Sequence, residues 1–262
     1  MKTQTFSAFL LSCYLVSCGG DDDLFRNECI PSDLQNGIVA FYPFMNGSLL
    51  DESSNSHDLT NPTAATTTSD RFGNPSCAYY FDNSNASDTY FLTTTNTNFL
   101  NNLSAFSVSV WYQPIDSSRS GGDFEVLVSR GDEGRCPDRH GEWSVGLYDC
   151  RRAVFGHDNS VWAQDVTNPF TSCEAEINAL TGKWHHVVAI KDDDLYQIYF
   201  DGVLNETASG AASCSVNYMA QDISDLFIGK LYKGKIDDII IYNRSLSQQE
   251  VTSLFALEPC CQ

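Results

Sequence analysis

Along most of the chain, apolar residues come in short runs that alternate with polar ones and end in turn signals. In FSVSVWYQP (106–114), Phe106, Val108 and Val110 alternate with Ser107 and Ser109, which predicts a strand with one face buried and the other wet. Comparable β-rich runs are IVAFYPF (38–44), AYYF (78–81), EVLVSR (125–130), WSVGLY (143–148), WHHVVAIK (184–191), LYQIYFDG (195–202), LFIGK (226–230) and KIDDIIIYN (235–243). Many short strands separated by turns predict a sandwich or a barrel. Asp192-Asp193-Asp194 and Asp201-Gly202 read as hairpin turns, the second because Gly tolerates positive φ. One helix is predicted, Gln248 to Phe255, where Ser247 and Glu250 have the spacing of a capping box and Val251, Leu254 and Phe255 form an apolar stripe. Neither an internal repeat nor a second domain is visible, and residues 115–182 read as a long Cys-rich insertion.

The longest apolar run, Phe6 to Val16, follows Lys2 at the N-terminus. As a helix it would cover roughly half of a ~30 Å hydrocarbon core, so it matches a secretion signal and not a membrane span. It ends in Leu15-Val16-Ser17-Cys18, which resembles the bacterial lipobox, where the Cys becomes the lipid-modified first residue. The following Gly19-Gly20-Asp21-Asp22-Asp23 resembles the acidic export tag of surface lipoproteins in the Bacteroidota. The expectation is a signal peptide over 1–17, lipidation at Cys18, an acidic tether over 18–36 and a folded domain over 37–257. That places the protein on the outer membrane, exposed at the cell surface and attached only by its lipid; an ordinary signal peptide is the alternative.

Composition narrows the partners. With 34 Asp and Glu against 15 Lys and Arg, the chain carries −19 charges, which repels phosphate backbones and excludes nucleic acid as a partner. Ten cysteines point to an oxidising compartment. Setting aside Cys13 in the leader and Cys18, the disulfide candidates are Cys29, Cys77, Cys136, Cys150, Cys173, Cys214, Cys260 and Cys261. Their spacing does not resemble zinc ligands, and the pairing stays open. A bridge within the insertion, such as Cys136–Cys150, and one tying Cys29 or Cys77 to the C-terminal pair are expected.

Several segments together carry a family resemblance. GIVAFYPFMNGSLLDESSNSHDLT (37–60), DRFGNPSCAYYFD (70–82), FSVSVWYQP, GKWHHVVAIKDDDLYQIYFDGVLNE (182–206) and IGKLYKGKIDDIIIYNRSLSQQEV (228–251) resemble, in this order, LamG-like, concanavalin A-like jelly-roll domains. The last segment, a strand followed by a capped helix, is the most specific. The resemblance implies an all-β fold, a two-sheet antiparallel jelly-roll sandwich with a short C-terminal helix. Departures are the non-glycine residues Ser54, Ser56 and Leu59 in the first loop, and the insertion.

Candidate chemistry follows. Asp51, Asn55 and Asp58 offer hard oxygen ligands on a loop, as calcium requires. Period 2 puts Asp237 on the face of Ile239 and Ile241, where a carboxylate needs a cation or several donors. Similar jelly rolls place structural Ca²⁺ between the first loop and this Asp, so Asp51, Asn55 and Asp237 are the expected metal ligands. The alternative is that Asp237 caps backbone N–H groups and Asp51 is a turn residue. The same fold hosts glycoside hydrolases, which need two carboxyl groups in one cleft. Their one-strand ExDxxE or ExDxE pattern is missing; Glu125, Glu142 and the Glu174-Ala175-Glu176 loop do not supply it. His185-His186 on one strand point to opposite faces and cannot share an ion, and Arg130-Gly131-Asp132 is a tripeptide that chance provides. The sequence therefore favours a non-catalytic module binding a polysaccharide or other extracellular polymer, with Trp143, Tyr148 and Trp162 as candidate sugar platforms. A hydrolase on the same fold and a protein-adhesion module are the alternatives.

Overall fold

Two antiparallel sheets face each other across the main core. The structure, a computed structural model, describes residues 29–84, 90–101, 103–115, 124–131, 143–157, 161–164, 170–210 and 225–261. In chain order the strands are β1 (Ile38–Tyr42), β2 (Thr66–Thr68), β3 (Ala78–Asp82), β4 (Leu92–Thr94), β5 (Ala105–Pro114), β6 (Glu125–Arg130) and β7 (Trp143–Tyr148), followed by β8 (Arg152–His157), β9 (Val161–Gln164), β10 (His185–Asp192), β11 (Leu195–Phe200), β12 (Val203–Ser209), β13 (Leu226–Ile228) and β14 (Lys233–Tyr242). The first sheet runs β12-β11-β10-β5-β14-β3-β2, and β1 also pairs with β14; the second runs β4-β13-β6-β7-β8-β9. This is the jelly-roll sandwich that the resemblance implied, and one of the two architectures that the alternation allowed. The signal peptide, Cys18, the export tag, Cys136 and Cys214 lie outside the described residues.

The core between the sheets follows from period 2. Val108, Val110, Tyr112, Ile236, Ile239, Val187 and Ile198 of the first sheet pack toward Leu127, Val145, Leu147, Phe155 and Ile228 of the second. Ser107 and Ser109 are not wet, as the alternation predicted, but buried. Helix α2 (Gln248–Phe255) and both terminal segments cover that face, forming a second core of Ile30, Leu34, Phe41, Val188, Ile240, Leu246, Val251 and Leu254. Ser107 Oγ accepts from the Leu246 N–H at 3.1 Å, and Ser109 Oγ lies 2.8 Å from His186 Nε2. Ile30 and Leu34 are therefore structural, so the expected tether does not extend to residues 29–36. Cys29–Cys260 joins the first described segment to the C-terminal tail, and Cys77–Cys261 joins that tail to the start of β3.

Helix α2 carries its capping box, with Ser247 Oγ accepting from the Glu250 N–H and Glu250 accepting from the Ser247 N–H. Asp193 and the Asp201-Gly202 pair take positive φ in two-residue hairpin turns, as their sequence predicted. The insertion holds more structure than a loop. It contributes β8 and β9 beside β7, and helix α1 (Cys173–Leu180), whose N-cap Ser172 accepts from the Ala175 N–H. Glu174 and Glu176 sit in the first turn of α1, where the helix dipole favours acid, and not in a loop. Cys150 bonds to Cys173, which overturns the expected Cys136–Cys150 bridge and ties α1 to the β7–β8 turn.

Candidate functional site

The expected calcium ligands do not converge. Asp51 is buried, and its carboxylate accepts backbone N–H groups from Phe41 and Ser53 on Oδ1 and from His57 on Oδ2, at 2.9, 2.9 and 3.0 Å. Asn55 donates to the Val39 carbonyl and to Ser53 Oγ. Period 2 fails at Asp237, because a bulge at Asp238 (φ 39°) shifts the phase of β14. Ile236 and Ile239 both face the main core, and Asp237 meets Arg71. Arg71 Nη1 donates to Asp237 Oδ2 at 3.0 Å and Asp238 Oδ2 at 2.7 Å, Nη2 donates to the Leu257 carbonyl at 3.1 Å, and the guanidinium lies 4.4 Å over the Trp111 ring. Asp70 aims Arg71 there by accepting from the N–H groups of Phe72 and Asn74 in a tight loop. Burial pushes the carboxyls of Asp237 and Asp238 upward, helped by the charge of Asp238 at Asp237 and of Asp70 at both, against the pull of Arg71. These donors do not fit calcium: Asp51 is satisfied by backbone, and a guanidinium holds the place of the cation beside Asp237. Among the described residues, the group of His, Cys, Asp and Glu with ligand atoms within 4.8 Å of one another is Asp149, Cys150 and Cys173, and its two sulfurs form a disulfide.

The candidate sugar platforms also separate. Trp143 is 2% exposed and packs on Phe106 at 5.3 Å, so it is a core residue; β7 turns its face inward in phase with Val145 and Leu147. Tyr148 is exposed at the end of β7. Trp162 lies in β9, paired with Gly156, and its side chain falls outside the described residues. Two carboxylates of the insertion are engaged: Glu125 makes a two-pronged pair with Arg151 at 2.7 and 2.8 Å, and Glu176 pairs with Arg152 at 2.9 and 3.0 Å, while Glu142 lies outside the described residues. Arg130 is buried, donates to the Leu100 carbonyl and to Asn101, and is not displayed as part of an adhesion tripeptide. His185 bonds Asp201, and His186 bonds Ser109 on the opposite face.

A groove of about 200 Å³ lies elsewhere, on the outer face of the first sheet near its β2 edge, lined by Ala64, Ala65, Thr66, Tyr80, Asp82 and Tyr90. Along β3, Tyr79 and Phe81 point into the core, so Tyr80 and Asp82 share the outer face. Its walls are fastened by side chains bonding to backbone. Asn61 both accepts from the Ala65 N–H and donates to its carbonyl, at 2.9 and 2.8 Å. Buried Asn83 does the same for Tyr90, and also donates to the carbonyls of Gly229 and Tyr232. Thr63 Oγ1 bonds both backbone groups of Phe91 and so joins one wall to the other.

At the end of the groove, Asp82 Oδ1 accepts from Tyr80 at 3.2 Å and Ser84 at 3.1 Å and pairs with Lys233 Nζ at 3.3 Å. Burial works against its charge, but the hydrogen bonds from Ser84, Lys233 and Tyr80 outweigh it and hold the carboxyl below its ordinary pKa. Oδ2 has no partner among the described residues. The arrangement presents two aromatic rings and one open carboxylate oxygen on a rigid frame. No Trp marks this site in the sequence; its signal is the Tyr80-x-Asp82 alternation on a strand that otherwise points inward.

The jelly-roll sandwich is matched at the level of family. The model of the concanavalin A-like lectin/glucanases superfamily matches residues 84–252, more than half of the chain. The chain belongs to this superfamily. Within the superfamily fold, the groove residues Ala64 to Asp82 precede the matched segment and only Tyr90 falls inside it. No curated protein sequence matches the chain. Among solved structures, domain 4 of an extracellular GH43 arabinanase from Geobacillus stearothermophilus, in complex with arabinotriose, superposes with a TM-score of 0.57 at 18% identity, over 83% of this chain and 97% of that domain. The binding domain of botulinum neurotoxin DC superposes with a TM-score of 0.60 at 16% identity, over 86% of this chain, both in complex with rat synaptotagmin II and in complex with SialylT. The chain spans about half the length of those neurotoxin domains, 52%. At such identities the likeness is one of fold.

Proposed function

We propose that this superfamily member is a non-catalytic extracellular binding module that recognises carbohydrate, displayed at the cell surface on a lipid anchor at Cys18. The observation that carries the reading is the groove of Tyr80, Tyr90 and Asp82, since aromatic faces flanked by a fixed hydrogen-bonding group suit the apolar and polar sides of a sugar. Two structural neighbours support it, one a domain complexed with arabinotriose and the other a domain complexed with SialylT. Three disulfides among the described residues agree with export to an oxidising compartment. A hydrolase would need two carboxyl groups facing one cleft, and Glu125 and Glu176 are instead occupied by Arg151 and Arg152. Adhesion to a protein is the second reading, favoured by the neighbour bound to rat synaptotagmin II. The test is binding of the purified protein to a glycan array, repeated in EDTA. Saturable binding to one polysaccharide class supports the module; a folded protein that binds nothing on the array sinks it in favour of adhesion. Calcium belongs to this proposal only as the variable in that second arm.

A further inference from the structure

We propose that the Tyr80–Tyr90–Asp82 groove is a subsite for a single uncharged sugar ring, with the Tyr90 ring as its platform and Asp82 Oδ2 as the acceptor for ring hydroxyls. This rests on the carbohydrate reading and narrows it to a site and a ligand class.

Size argues first. Pockets for drug-sized ligands run about 300–1,000 Å³, so a groove of about 200 Å³ holds about one ring of a longer chain. Rigidity argues next. Both walls are fixed by Asn61, Thr63 and Asn83 through backbone hydrogen bonds, so little ordering is left for the moment of binding. The platform ring is also accessible, since Tyr90 is 38% exposed. The Tyr90 backbone is held by Asn83, which leaves its side chain facing the groove without a structural duty.

The ligand class follows from charge. Asp82 Oδ1 is saturated by Tyr80, Ser84 and Lys233, while Oδ2 is open, so the site offers an acceptor to a hydroxyl donor. Lys233 is paired with that carboxylate, and Lys235, across from Tyr80 on the same face, is not among the residues that line the groove. The chain as a whole carries −19, which adds repulsion at longer range. Uronate and sulfated sugars are therefore disfavoured against neutral ones.

The test is isothermal titration of the purified protein with two matched sets of oligosaccharides. The neutral set is arabino-, xylo-, manno- and galacto-oligosaccharides, and the anionic set is oligogalacturonate and a sulfated galactan fragment. Variants are Tyr90→Ala, Asp82→Asn and Thr66→Trp, the last filling the groove from exposed β2, opposite Tyr80. Thermal melts verify that each variant is folded. The expected result is binding to a member of the neutral set that weakens roughly 10–100-fold in Tyr90→Ala and in Asp82→Asn, the size of one lost charged hydrogen bond or aromatic contact, and disappears in Thr66→Trp. Neutral binding that all three folded variants retain overturns the site while leaving the carbohydrate reading intact. Equal or tighter binding of the anionic set overturns the ligand class. Failure to bind either set overturns this proposal and the carbohydrate reading together.

Discussion

Arg71 and Asp237 are 166 residues apart in the chain and form a 3.0 Å ion pair beneath the C-terminal tail. The pair sits at the point where β14 changes partner, from β3 at Lys233–Ile236 to β1 at Ile239–Tyr242. The bulge that this change requires turns two adjacent carboxylates, Asp237 and Asp238, toward one guanidinium. Arg71 also reaches the Leu257 carbonyl, while Asn74, from the same loop, donates to the Cys261 carbonyl. The loop 70–74, the bulge and the tail thus form one polar joint, closed by Cys77–Cys261.

Replacing Arg71 by Met strands two buried carboxyls. The expected cost is about 3–5 kcal/mol in urea denaturation, and Arg71→Met/Asp237→Asn recovers part of it by removing one uncompensated charge. Because the guanidinium already serves as counter-ion, the melting temperature of the unmodified protein is expected to be the same in calcium and in EDTA. A rise with calcium concentration, as mass action demands of a bound ligand, would contradict this assignment.

His186 is fully buried, and desolvation, aided by the nearby Arg71 charge, lowers its pKa from 6.5 to about 3. The native state keeps the imidazole neutral, while the unfolded chain takes up its proton near pH 6.5. Its contribution is complete above that pH and is lost as pH falls toward about 3, with a slope of up to about 1.4 kcal/mol per pH unit. Urea denaturation at several pH values should show a steeper acid limb for the unmodified protein than for His186→Gln. Identical slopes would show that His186 is protonated in the native state.

Trp143 and Tyr148 lie on one strand and should behave oppositely. Trp143→Ala opens a cavity beside Phe106 and is expected to cost about 3–5 kcal/mol. Tyr148→Ala removes an exposed ring and should stay within about 0.5 kcal/mol. Chemical denaturation of both variants decides this, and a mild effect of Trp143→Ala would argue against its core position.

The strands with clear alternation, the Asp201-Gly202 turn and the capped helix were legible because each depends on neighbours in the chain. Period 2, positive φ and the Ser247–Glu250 cap are local rules. Five strands went unseen: β2 and β4 are three residues long, β12 is an exposed, polar edge strand held by its pairing with β11, and β8 and β9 lie in the stretch read as an insertion. Helix α1 is short, with only Glu176 and Ile177 buried, and its place is set by Cys150–Cys173 and the Arg152–Glu176 pair.

By itself the sequence determined a β-sandwich with a capped C-terminal helix, because binary patterning and turn chemistry act over a few residues. Tertiary structure alone decided which faces were covered and which charges met. Ser107 and Ser109 are buried because α2, remote in the chain, lies over them. Asp237 met Arg71 instead of Asn55 because one bulged residue shifted the phase of its strand. Tyr80, Tyr90 and Asp82 share a groove because Asn61, Thr63 and Asn83 fasten segments that no spacing in the sequence connects. Contacts between distant residues depend on register and layer order, and neither is written in any local window of the chain.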